Sequence, residues 1–415
     1  MNETIMLKDE ALIPEGLSRC SLFKFSLWIF ILLLVVGWGL LAAFLIFWKG
    51  LNQTNMNDYF GFALWITFDL AVIALGAGAF FTGFLTYLWG KKELKAVINF
   101  AVMIGFICYS GAILILTLDI GQPLRSWYGF WHPNVHSMLT EVMFCITLYL
   151  GVLMIEYAPL VLENRKINAN AFAHHFAHNL HQLMFIFAGT GTFLSFFHQG
   201  SLGGMFGVMF ARPFAFRGGF FIWPWTFFLF IASAIASGPA FTVLITSLTQ
   251  KVTGRKLVKP EVLALMGKIA GSLLIVYLIL KFADTIYWAV VNLPARGLSF
   301  MGQYQGPYGF WLVVAELGIF GILPAIMLMN AKLRMRPGWL ALACLLSCAG
   351  VVFNRFIFTV VSLALPVMPF DRLVTYWPSW QEWAPTIAFL AYGALIISLS
   401  YRYLPVFPQE RELNE

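Results

Sequence analysis

The stretch SMLTEVMFCITLYLGVLMIEYAPL, residues 137–160, decides the fold of this chain. It is apolar and long enough to cross a bilayer as one helix, yet it contains two carboxylates, Glu141 and Glu156. At about 1.5 Å and 100° per residue, the two acids lie roughly 22 Å apart along the helix and about 60° apart around it. The stretch therefore predicts a transmembrane helix with one acid near each membrane face, on about the same side. Because ionised groups are costly in hydrocarbon, both acids should face a polar interior, stay protonated or move protons.

The composition of the 415 residues places the whole chain in the same class. Hydrophobic residues make up 60%, charged residues 11%, and the mean hydropathy is +0.81, which excludes a soluble globular domain. Apolar runs of spanning length predict an all-α polytopic membrane protein with ten transmembrane helices. The predicted spans are 24–48, 59–89, 96–118, 136–160, 174–198, 220–248, 262–288, 308–330, 337–366 and 384–404.

The basic residues predict the orientation of these spans. Of the 26 Lys and Arg, 17 fall in the two tails and in alternate loops on one side, six fall on the other side, and Lys268, Lys281 and Arg355 lie inside spans. By the positive-inside rule both termini are then cytoplasmic, which agrees with an even number of helices. We expect a tail over 1–23 without a signal peptide, a membrane domain over 24–404 and a second tail over 405–415. The net charge of +7 thus comes from basic residues that set the orientation of the spans, and it does not indicate nucleic-acid binding.

The loops on the opposite, outer side contain few charges and many aromatic residues and prolines. They are 121–134, about 199–219, about 289–307 and 366–383. Part of this enrichment is the belt of Trp and Tyr that membrane interfaces favour, and the remainder predicts a docking surface. None of these loops is long enough to fold as a domain, so a redox centre outside the membrane must belong to another chain.

Sequence motifs for metal, nucleotide or nucleophilic chemistry are absent. The five cysteines form no CxxC pair and no cluster, so we expect no zinc or iron–sulfur site in this chain. The sequence also contains no phosphate loop, nucleophile elbow or dinucleotide fingerprint. Function must therefore come from the polar groups inside the membrane domain.

A first group of polar residues is predicted near the outer face. Asp119 ends the third span, His136 precedes the fourth, Glu141 lies one turn further in and His198 ends the fifth, while Asp69 lies deeper in the second span. Histidine and carboxylate side chains beside aromatic residues suit the protonation of the two carbonyl oxygens of a quinone, whose reduction takes two electrons and two protons. The alternative is that these groups only brace the helices through hydrogen bonds.

A second group of polar residues lies toward the cytoplasm. It consists of Glu156, Glu163 and the start of the fifth span, HHFAHNLH, with His174, His175, His178 and His181. His174, His178 and His181 share one helix face through spacings of four and three. One interpretation is a hydrated helix start; the other is the mouth of a proton path that leads through Glu156 and ordered water toward Glu141.

Ionisable residues also lie in the later spans. Lys268, Lys281, Glu316 and Arg355 indicate internal ion pairs or a second polar route through the other half of the protein. The sequence does not determine which of them pair.

Four segments stand in a fixed order along the chain: WITFDL (65–70), LTLDIGQPLR (116–125), HPNVHSMLTEVMFCITLYLGVLMIEYAPL (132–160) and FFHQGSLGG (196–204). Their order and spacing resemble the NrfD/PsrC family of membrane quinone-interacting subunits. The helix around Glu316 and the segments KFADTIYW (281–288), FNRFIF (353–358) and YWPSWQEW (376–383) extend the resemblance over nearly the whole chain. Within the family, the chain is more similar to the ten-helix branch of periplasmic membrane-bound hydrogenases and of cytochrome-linked complexes of sulfate reducers.

The resemblance implies a cofactor and a set of site residues. Subunits of this family bind menaquinone near the outer face in the first four-helix bundle, here 59–198, and 220–366 would form a second bundle. The family's acids match Asp69, Asp119, Glu141 and Glu156, and its histidine at the end of the fifth span matches His198. We therefore predict Asp119, Glu141 and His198 as catalytic residues, Asp69, His136 and Trp127 as further quinone-binding residues, and Glu156, Glu141, His178 and His181 as the proton path.

The resemblance also implies the complex in which the chain works. An iron–sulfur subunit would dock on the outer loops, with a molybdopterin-type or hydrogenase subunit and a multihaem cytochrome c in the same complex. The membrane would be the inner membrane of a bacterium, with the partners on the periplasmic side, and the chain itself would carry neither haem nor metal. We thus expect a subunit of an oxidoreductase that reduces menaquinone with electrons from the outer side and protons from the cytoplasm, so that turnover stores charge.

Three other functions remain open from the sequence. The first is the membrane subunit of a periplasmic hydrogenase, which only the partners would distinguish. A b-type cytochrome would need histidine pairs at matched depth; His136 with His198 is one such pair, whereas the inner histidines lack a partner on another span. A secondary transporter also buries acids in the membrane, but no clear pair of broken helices marks its usual binding site.

Overall fold

A computed structural model of the chain describes residues 20–220, 223–304, 308–309, 312–368 and 370–407. These residues are mostly helical, with one antiparallel pairing of two-residue strands, Gly219–Phe220 with Trp223–Pro224. Nine helices of the described part have the length and hydropathy of membrane spans. Most of the two predicted tails, 1–23 and 405–415, lies outside the described residues.

The helices correspond in order to the predicted spans. They are α1 (Leu22–Lys49), α2 (Ala63–Leu88), α3 (Lys95–Asp119), α4 (Met138–Leu162), α5 (Ala171–Gly207), α6 (Trp225–Thr253), α7 (Pro260–Tyr287), α8 (Leu312–Ile322 and Leu323–Met329), α9 (Pro337–Ala364) and α10 (Trp380–Tyr403). α8 stands where the span 308–330 was predicted, but positions 310 and 311 lie outside the described residues. The number of ten spans therefore stays a prediction.

The connections between helices lie alternately at two ends of the molecule, which differ in composition. The basic end carries the connections 89–94, 163–170, 254–259 and 330–336, which are rich in Lys and Arg. The aromatic end carries the connections 50–62, 120–137, 208–224 and 365–379, with exposed aromatic residues such as Trp131 and Trp377.

α5 is longer than predicted. The sequence predicted a span over 174–198 followed by a loop, but the helix begins at Ala171 and ends at Gly207. Its glycines serve close packing on α6 instead of a turn, since a side chain at Gly203 would lie 2.8 Å from the Cβ of Phe230. The prediction of a loop from about 199 was therefore wrong by about two turns. His198 lies inside the helix rather than at its end.

The first and last helices, α1 and α10, pack along each other. Trp28 Nε1 in α1 donates to Ser398 Oγ in α10 at 3.1 Å. α10 also contacts α3, where the hydroxyls of Ser110 and Tyr392 are 2.9 Å apart. Much of the remaining surface of α1 is apolar and exposed, as expected of a helix that faces lipid.

The closest approach between α2 and α6 occurs at Gly78 and Gly238. A side chain at Gly238 would lie 2.8 Å from the Cα of Gly78, and one at Gly78 would lie 2.9 Å from the carbonyl carbon of Gly238. Small residues that let helix backbones approach are typical of packing within membranes. This contact holds α2, which carries Asp69, against the second half of the protein, α6–α9.

We expect Gly238→Val to destabilise the protein by about 1–3 kcal/mol, because the added carbons have no space between α2 and α6. The measurement is the midpoint of thermal unfolding in detergent. Gly151→Val in α4 is the matched control, since nothing lies within 4 Å of a side chain placed at Gly151. Equal midpoints for the two variants would contradict this packing contact.

Four π-helical segments occur in the described residues: Phe84–Leu88, Trp288–Asn292, Leu312–Ile322 and Ile357–Val361. Such segments are rare in proteins and often lie at functional sites. Trp288–Asn292 follows α7, Leu312–Ile322 is part of α8 and Ile357–Val361 is part of α9. Each of these three contributes residues to the surroundings of a buried ion cluster, which is described below.

Candidate functional site

Asp119 and Glu141 lie at the same level near the aromatic end. α3 and α4 run antiparallel, and the rings of Tyr109 and Tyr149 on these helices are 4.5 Å apart. Asp119, the last residue of α3, lies ten residues after Tyr109. Because the two helices are antiparallel, the matching position on α4 is about ten residues before Tyr149, in the first turn, where Glu141 lies.

α5 contributes His198 at this level. Gly191 in α5 lies against Tyr149, with only 2.9 Å between the Tyr149 ring and a side chain placed at Gly191. His198 follows about two turns further toward the aromatic end, which brings it level with Glu141. Three of the predicted site residues thus share one depth on neighbouring antiparallel helices.

His198 is the most enclosed of these residues. Its side chain is fully buried, and neither ring nitrogen has a hydrogen-bond partner within the described part of the chain. The ring lies 5.7 Å from that of Tyr109, whose hydroxyl is 3.0 Å from Ser195 Oγ. An unpaired buried polar group costs about 1–3 kcal/mol, so this position indicates a ligand contact or a proton-transfer role.

Asp119 interacts electrostatically with acids from two other helices, Asp69 of α2 and Glu382 of α10. Asp69 and Glu382 are buried, and Asp119 is partly buried. One carboxylate oxygen of Asp69 and one of Asp119 have no hydrogen-bond partner among the described residues. Like charges repel strongly where water is scarce, so the three acids are electrostatically coupled across α2, α3 and α10.

Glu382 is the acid of this group that accepts hydrogen bonds from several donors. Its Oε2 accepts hydrogen bonds from the backbone N–H groups of Asn55 at 2.9 Å and Ser379 at 2.8 Å, the latter within the capping box that begins α10. Its Oε1 accepts from the Tyr376 hydroxyl, and burial together with this hydrogen bond raises the pKa of Tyr376. These donors fix the carboxylate of Glu382 in position, where it interacts electrostatically with Asp119.

The other predicted residues of this site lie nearer the surface of the aromatic end. His136 is exposed in the connection before α4, Trp127 is 51% exposed in the connection after α3, and Glu141 is partly buried. Within the described residues, no hydrogen bond joins His136 or Trp127 to Asp119, Glu141 or His198. Their position suits an entrance to the buried groups rather than a part of them.

Two tyrosines occupy the interval between Glu156 and His198. Tyr149 is fully buried in α4, about two turns from Glu156, with which it interacts electrostatically. Its ring contacts that of Tyr109, which in turn contacts the ring of His198 and the hydroxyl of Ser195. Hydroxyl groups both donate and accept hydrogen bonds. The hydroxyls of Tyr109 in α3 and Ser195 in α5 therefore add groups that could relay a proton between the two ends of α4.

Glu156 lines a small cavity near the basic end. The cavity has room for about one water molecule, and Asn99, Glu163 and His181 are among its other lining residues. Nε2 of His181 lies 2.7 Å from Oε1 of Glu163, and the side chain of His181 is 40% exposed. The cavity thus places Glu156 next to a histidine–glutamate pair that reaches the surface.

The histidines that precede His181 in α5, which are His174, His175 and His178, are exposed. Nε2 of His178 is 3.1 Å from the side-chain nitrogen of Gln182, and Nδ1 of His174 is 3.1 Å from Asn168 Oδ1. Of the two histidines predicted for the proton path, the structure places His181 at the cavity and His178 outside its lining.

A buried ion cluster lies in the second half of the protein. Arg217, from the connection after α5, pairs with Asp284 of α7 at 3.2 Å, and their side chains are 3% and 4% exposed. Arg217 also donates to the carbonyl oxygens of Phe214 and Phe216, and its guanidinium lies 4.1 Å from the centre of the Trp288 ring. Burial lowers the pKa of Arg217, and Asp284 opposes that shift by stabilising the charge.

Glu316 of α8 is the centre of this cluster. Nζ of Lys281 in α7 is 3.4 Å from Glu316 Oε1. The same oxygen accepts hydrogen bonds from the Tyr277 hydroxyl at 3.2 Å and from Asn354 Nδ2 at 2.7 Å. Oε2 has no partner among the described residues.

Arg355 of α9 completes the cluster. It is fully buried and donates to Asn354 Oδ1 at 2.6 Å and to Ser233 Oγ at 2.9 Å. It interacts with Glu316 electrostatically, but these hydrogen bonds go to neutral groups. A second cavity with room for about one water molecule is lined by Ser233, Tyr277 and Glu316, among others.

The sequence indicated ionisable residues in this region but not their partners. The structure pairs Lys281 with Glu316, gives Arg355 neutral hydrogen-bond partners and leaves Lys268 exposed, outside the cluster. The sequence did not indicate Arg217 or Glu382 as candidate site residues, since both lie in or beside segments that resemble interfacial loops. A capping-box pattern, Ser379 followed three residues later by Glu382, was the available signal for the second of them.

Comparisons with known proteins extend over most of the chain. Residues 50–365 match the family described as "Polysulphide reductase, NrfD". The chain is 58% identical over 408 residues to the "Menaquinone reductase, integral membrane subunit" of Nitratidesulfovibrio vulgaris, covering 98% of this chain and 97% of that protein. It is 26% identical over 388 residues to the "Probable Ni/Fe-hydrogenase 2 b-type cytochrome subunit" of Escherichia coli K12, with 91% of each covered. It is 24% identical over 360 residues to the "Hdr-like menaquinol oxidoreductase integral membrane subunit" of Archaeoglobus fulgidus, covering 83% of this chain and 84% of that protein.

These comparisons confirm the resemblance on which the sequence analysis relied. The family match covers Asp69, Asp119, Glu141, Glu156 and His198 and ends before Glu382. The apolar helices and the integral membrane relatives together show a multi-pass membrane protein. Because the match extends over most of the chain and one relative shares more than half of its residues over nearly full length, the chain belongs to the family described as "Polysulphide reductase, NrfD".

Proposed function

We propose that this chain is the quinone-binding integral membrane subunit of a multi-subunit respiratory oxidoreductase and that it reduces menaquinone. The observation that carries the proposal is His198, a fully buried ring without hydrogen-bond partners among the described residues, level with Asp119 and Glu141. The menaquinone reductase subunit that is 58% identical to this chain supports the choice of menaquinone.

The unpaired polar atoms fit the two carbonyl oxygens of a quinone. His198, Asp119 and Asp69 would hold the head group, Glu141 would lie beside it, and Trp127 and His136 would line the entrance. Menaquinone, when bound, supplies the redox chemistry, which takes up two electrons and two protons per quinone. Within the acid group, Asp119 or Asp69 would donate a proton to the quinone, since each has an unpaired carboxylate oxygen, whereas Glu382 already accepts hydrogen bonds from its own donors.

Protons would reach this site from the basic end. The histidine–glutamate pair His181–Glu163 would take up a proton at the surface and pass it through the adjacent cavity to Glu156. The hydroxyl groups of Tyr149 and Tyr109, whose rings lie between Glu156 and His198, would carry it on to His198. Compared with the predicted path toward Glu141, this route ends at His198, on the neighbouring helix. Ordered water would complete the steps between side chains that do not touch.

The proposed orientation places both termini and the basic end in the cytoplasm of a bacterium, in agreement with the positive-inside rule. α2–α5 would then form the quinone-binding bundle and α6–α9 a second bundle, with α1 and α10 at the flank. Electrons would arrive at the aromatic end and protons from the opposite side. Turnover would therefore be electrogenic.

The aromatic end offers the surface for the electron-donating partner. Trp127, Trp131, Phe370 and Trp377 are between 51% and 86% exposed there, and aromatic side chains of this size are enriched in protein interfaces. We propose that a periplasmic iron–sulfur subunit docks on them, with a molybdopterin-type subunit and a multihaem cytochrome c further out.

Photo-crosslinking of the purified complex with an azido-menaquinone tests the proposed site. We expect label on peptides of α3, α4 and α5 around Asp119, Glu141 and His198, and we expect unlabelled menaquinone to compete for it. Competable label that falls only on peptides of α6–α9 would contradict the proposal.

The relative named as a hydrogenase subunit supports a second candidate, the quinone-reactive membrane subunit of a periplasmic hydrogenase. The same membrane site would serve both functions, so the partners decide between them. Purification of the intact complex, with mass spectrometry of its subunits, separates a nickel–iron hydrogenase from a molybdopterin-type subunit with a cytochrome c. A redox difference spectrum of the isolated chain tests the b-type cytochrome, which requires a haem band.

A further inference from the structure

The buried ion cluster of the second half contains more bases than acids. Its bases are Arg217, Lys281 and Arg355, and its acids are Asp284 and Glu316. All five residues are at most 7% exposed. The undescribed positions between 20 and 407 are Phe, Ile, Gln, Gly, Pro and Trp residues, so they add no acid to this balance. With every group ionised, the cluster carries one uncompensated positive charge inside the membrane domain, which is costly.

We infer that Lys281 is a proton-exchanging site in the second half of the protein. Loss of one proton from a base would make the cluster neutral, and Arg217 and Arg355 do not lose protons in proteins. Lysine does so readily when it is buried. Protonation of Glu316 or Asp284 would instead raise the net charge, so neither acid can relieve the imbalance.

The surroundings of Lys281 keep Glu316 in place in either state of the lysine. The lysine is 3.4 Å from Glu316 Oε1, whereas Asn354 and Tyr277 donate to the same oxygen at 2.7 and 3.2 Å. These two neutral donors remain when the lysine loses its charge. Arg355 then compensates the carboxylate electrostatically, and Arg217 compensates Asp284.

The groups that face Lys281 from each packed element are limited in number. Tyr277 and Asp284 come from α7 itself, and Arg217 comes from the connection after α5. Glu316 comes from α8 and Arg355 from α9. The neutral Ser233 comes from α6. The Lys281 ammonium also lies 5.3 Å from the centre of the Phe358 ring. Phe358 has no proton to exchange.

A proton that leaves Lys281 has an acceptor within the cluster. The N–H bond of the ammonium would break as the proton passes by way of Glu316 to a water molecule in the cavity that Glu316, Tyr277 and Ser233 line, and Glu316 is left as a carboxylate again. The amine is left neutral, and no electron moves. Uptake is the reverse step.

The π-helical turns are a second indication that this region is functional. Glu316 lies within Leu312–Ile322, Phe358 lies within Ile357–Val361, and Trp288, which stacks on Arg217, begins Trp288–Asn292. A π turn inserts an extra residue into a helix and often marks a functional site. Three such segments contribute residues to the surroundings of this one ion cluster.

The experiment is a pH titration of the intact complex followed by infrared difference spectroscopy of the carboxylate stretches, from about pH 6 to about pH 10. In the unmodified protein, the Glu316 band, assigned by its loss in Glu316→Gln, is expected to shift as its ammonium partner loses a proton. Lys281→Arg is expected to abolish this shift, because the guanidinium stays charged. Lys268→Arg, an exposed lysine of the same helix, is the matched control and should keep the shift.

Lys281→Met provides a second and independent comparison. It imitates the deprotonated state, so its Glu316 band at low pH should match that of the unmodified protein at high pH. A band that never shifts in the unmodified protein, or one that still shifts in Lys281→Arg, would overturn the inference. The readout does not depend on quinone reduction, so a failure of the proposed function would not be mistaken for a failure of this site.

Discussion

Replacement of Glu156 by glutamine is expected to lower proton uptake from the basic end by about tenfold or more, since amides do not relay protons and acid–base groups commonly contribute at least that much. Glu156 stands between the surface pair His181–Glu163 and the buried Tyr149. Glutamine has nearly the same size, so the helix should remain intact. The measurement is the membrane potential generated per menaquinone reduced by the complex in sealed vesicles.

Glu93→Gln is the control for this variant. Glu93 is an exposed acid at the same end of the molecule, in the connection before α3. We expect this variant to generate the full potential. Full proton coupling in Glu156→Gln would show that protons enter by another route.

Replacement of His198 by leucine is expected to lower menaquinone reduction by about 10²–10⁴-fold, the range typical of a lost acid–base or hydrogen-bonding group. The same change should leave the thermal stability equal or higher. The buried ring has no hydrogen-bond partner among the described residues, so leucine removes a desolvated polar group without stranding another. The measurements are the rate with a soluble menaquinone analogue and the unfolding midpoint.

These two readouts separate a functional histidine from a bracing one. If His198 only stabilised the bundle, its loss would lower the unfolding midpoint and spare the rate. His175→Leu, at an exposed position of the same helix, is the control and should change neither quantity. A stable and fully active His198→Leu protein would exclude His198 from the quinone site.

α4 shows how far the sequence alone could predict this molecule. Its length, its apolar composition and the spacing of Glu141 and Glu156 predicted one helix with an acid toward each end, and the structure has that helix as Met138–Leu162. What lies between the acids could not be predicted, because Tyr109 and Ser195 come from other helices. Which side chains fill that interval depends on packing register, which one sequence does not contain.

The ion pairs of the second half show a different limit. Periodicity assigns helix faces on the assumption of 3.6 residues per turn, and the π-helical segment Leu312–Ile322 violates that assumption around Glu316. Arg217 was beyond prediction for another reason. It lies in a connection, yet it folds back into the bundle to pair with Asp284.

α5 shows a helix that continues beyond its predicted end. The segment after His198, from about 199, was predicted as an outer loop with few charges and many aromatic residues and prolines. In the structure, Gly203 and Gly207 instead let α5 approach Phe230 and Pro224, and the helix continues. Sequence alone cannot distinguish a glycine that turns the chain from one that admits a neighbouring helix.

In the proposed function, electrons and protons reach the quinone from opposite ends of the chain. The direct measurement uses sealed vesicles that contain the complex with its basic end inside. Menaquinone is supplied, and an electron donor is added outside. A dye reports the membrane potential, and a trapped indicator reports the internal pH. We predict that quinone reduction makes the interior negative and alkaline, because protons leave it for the site near His198. Quinone reduction without a potential, with protons taken from the outer solution, would contradict the account.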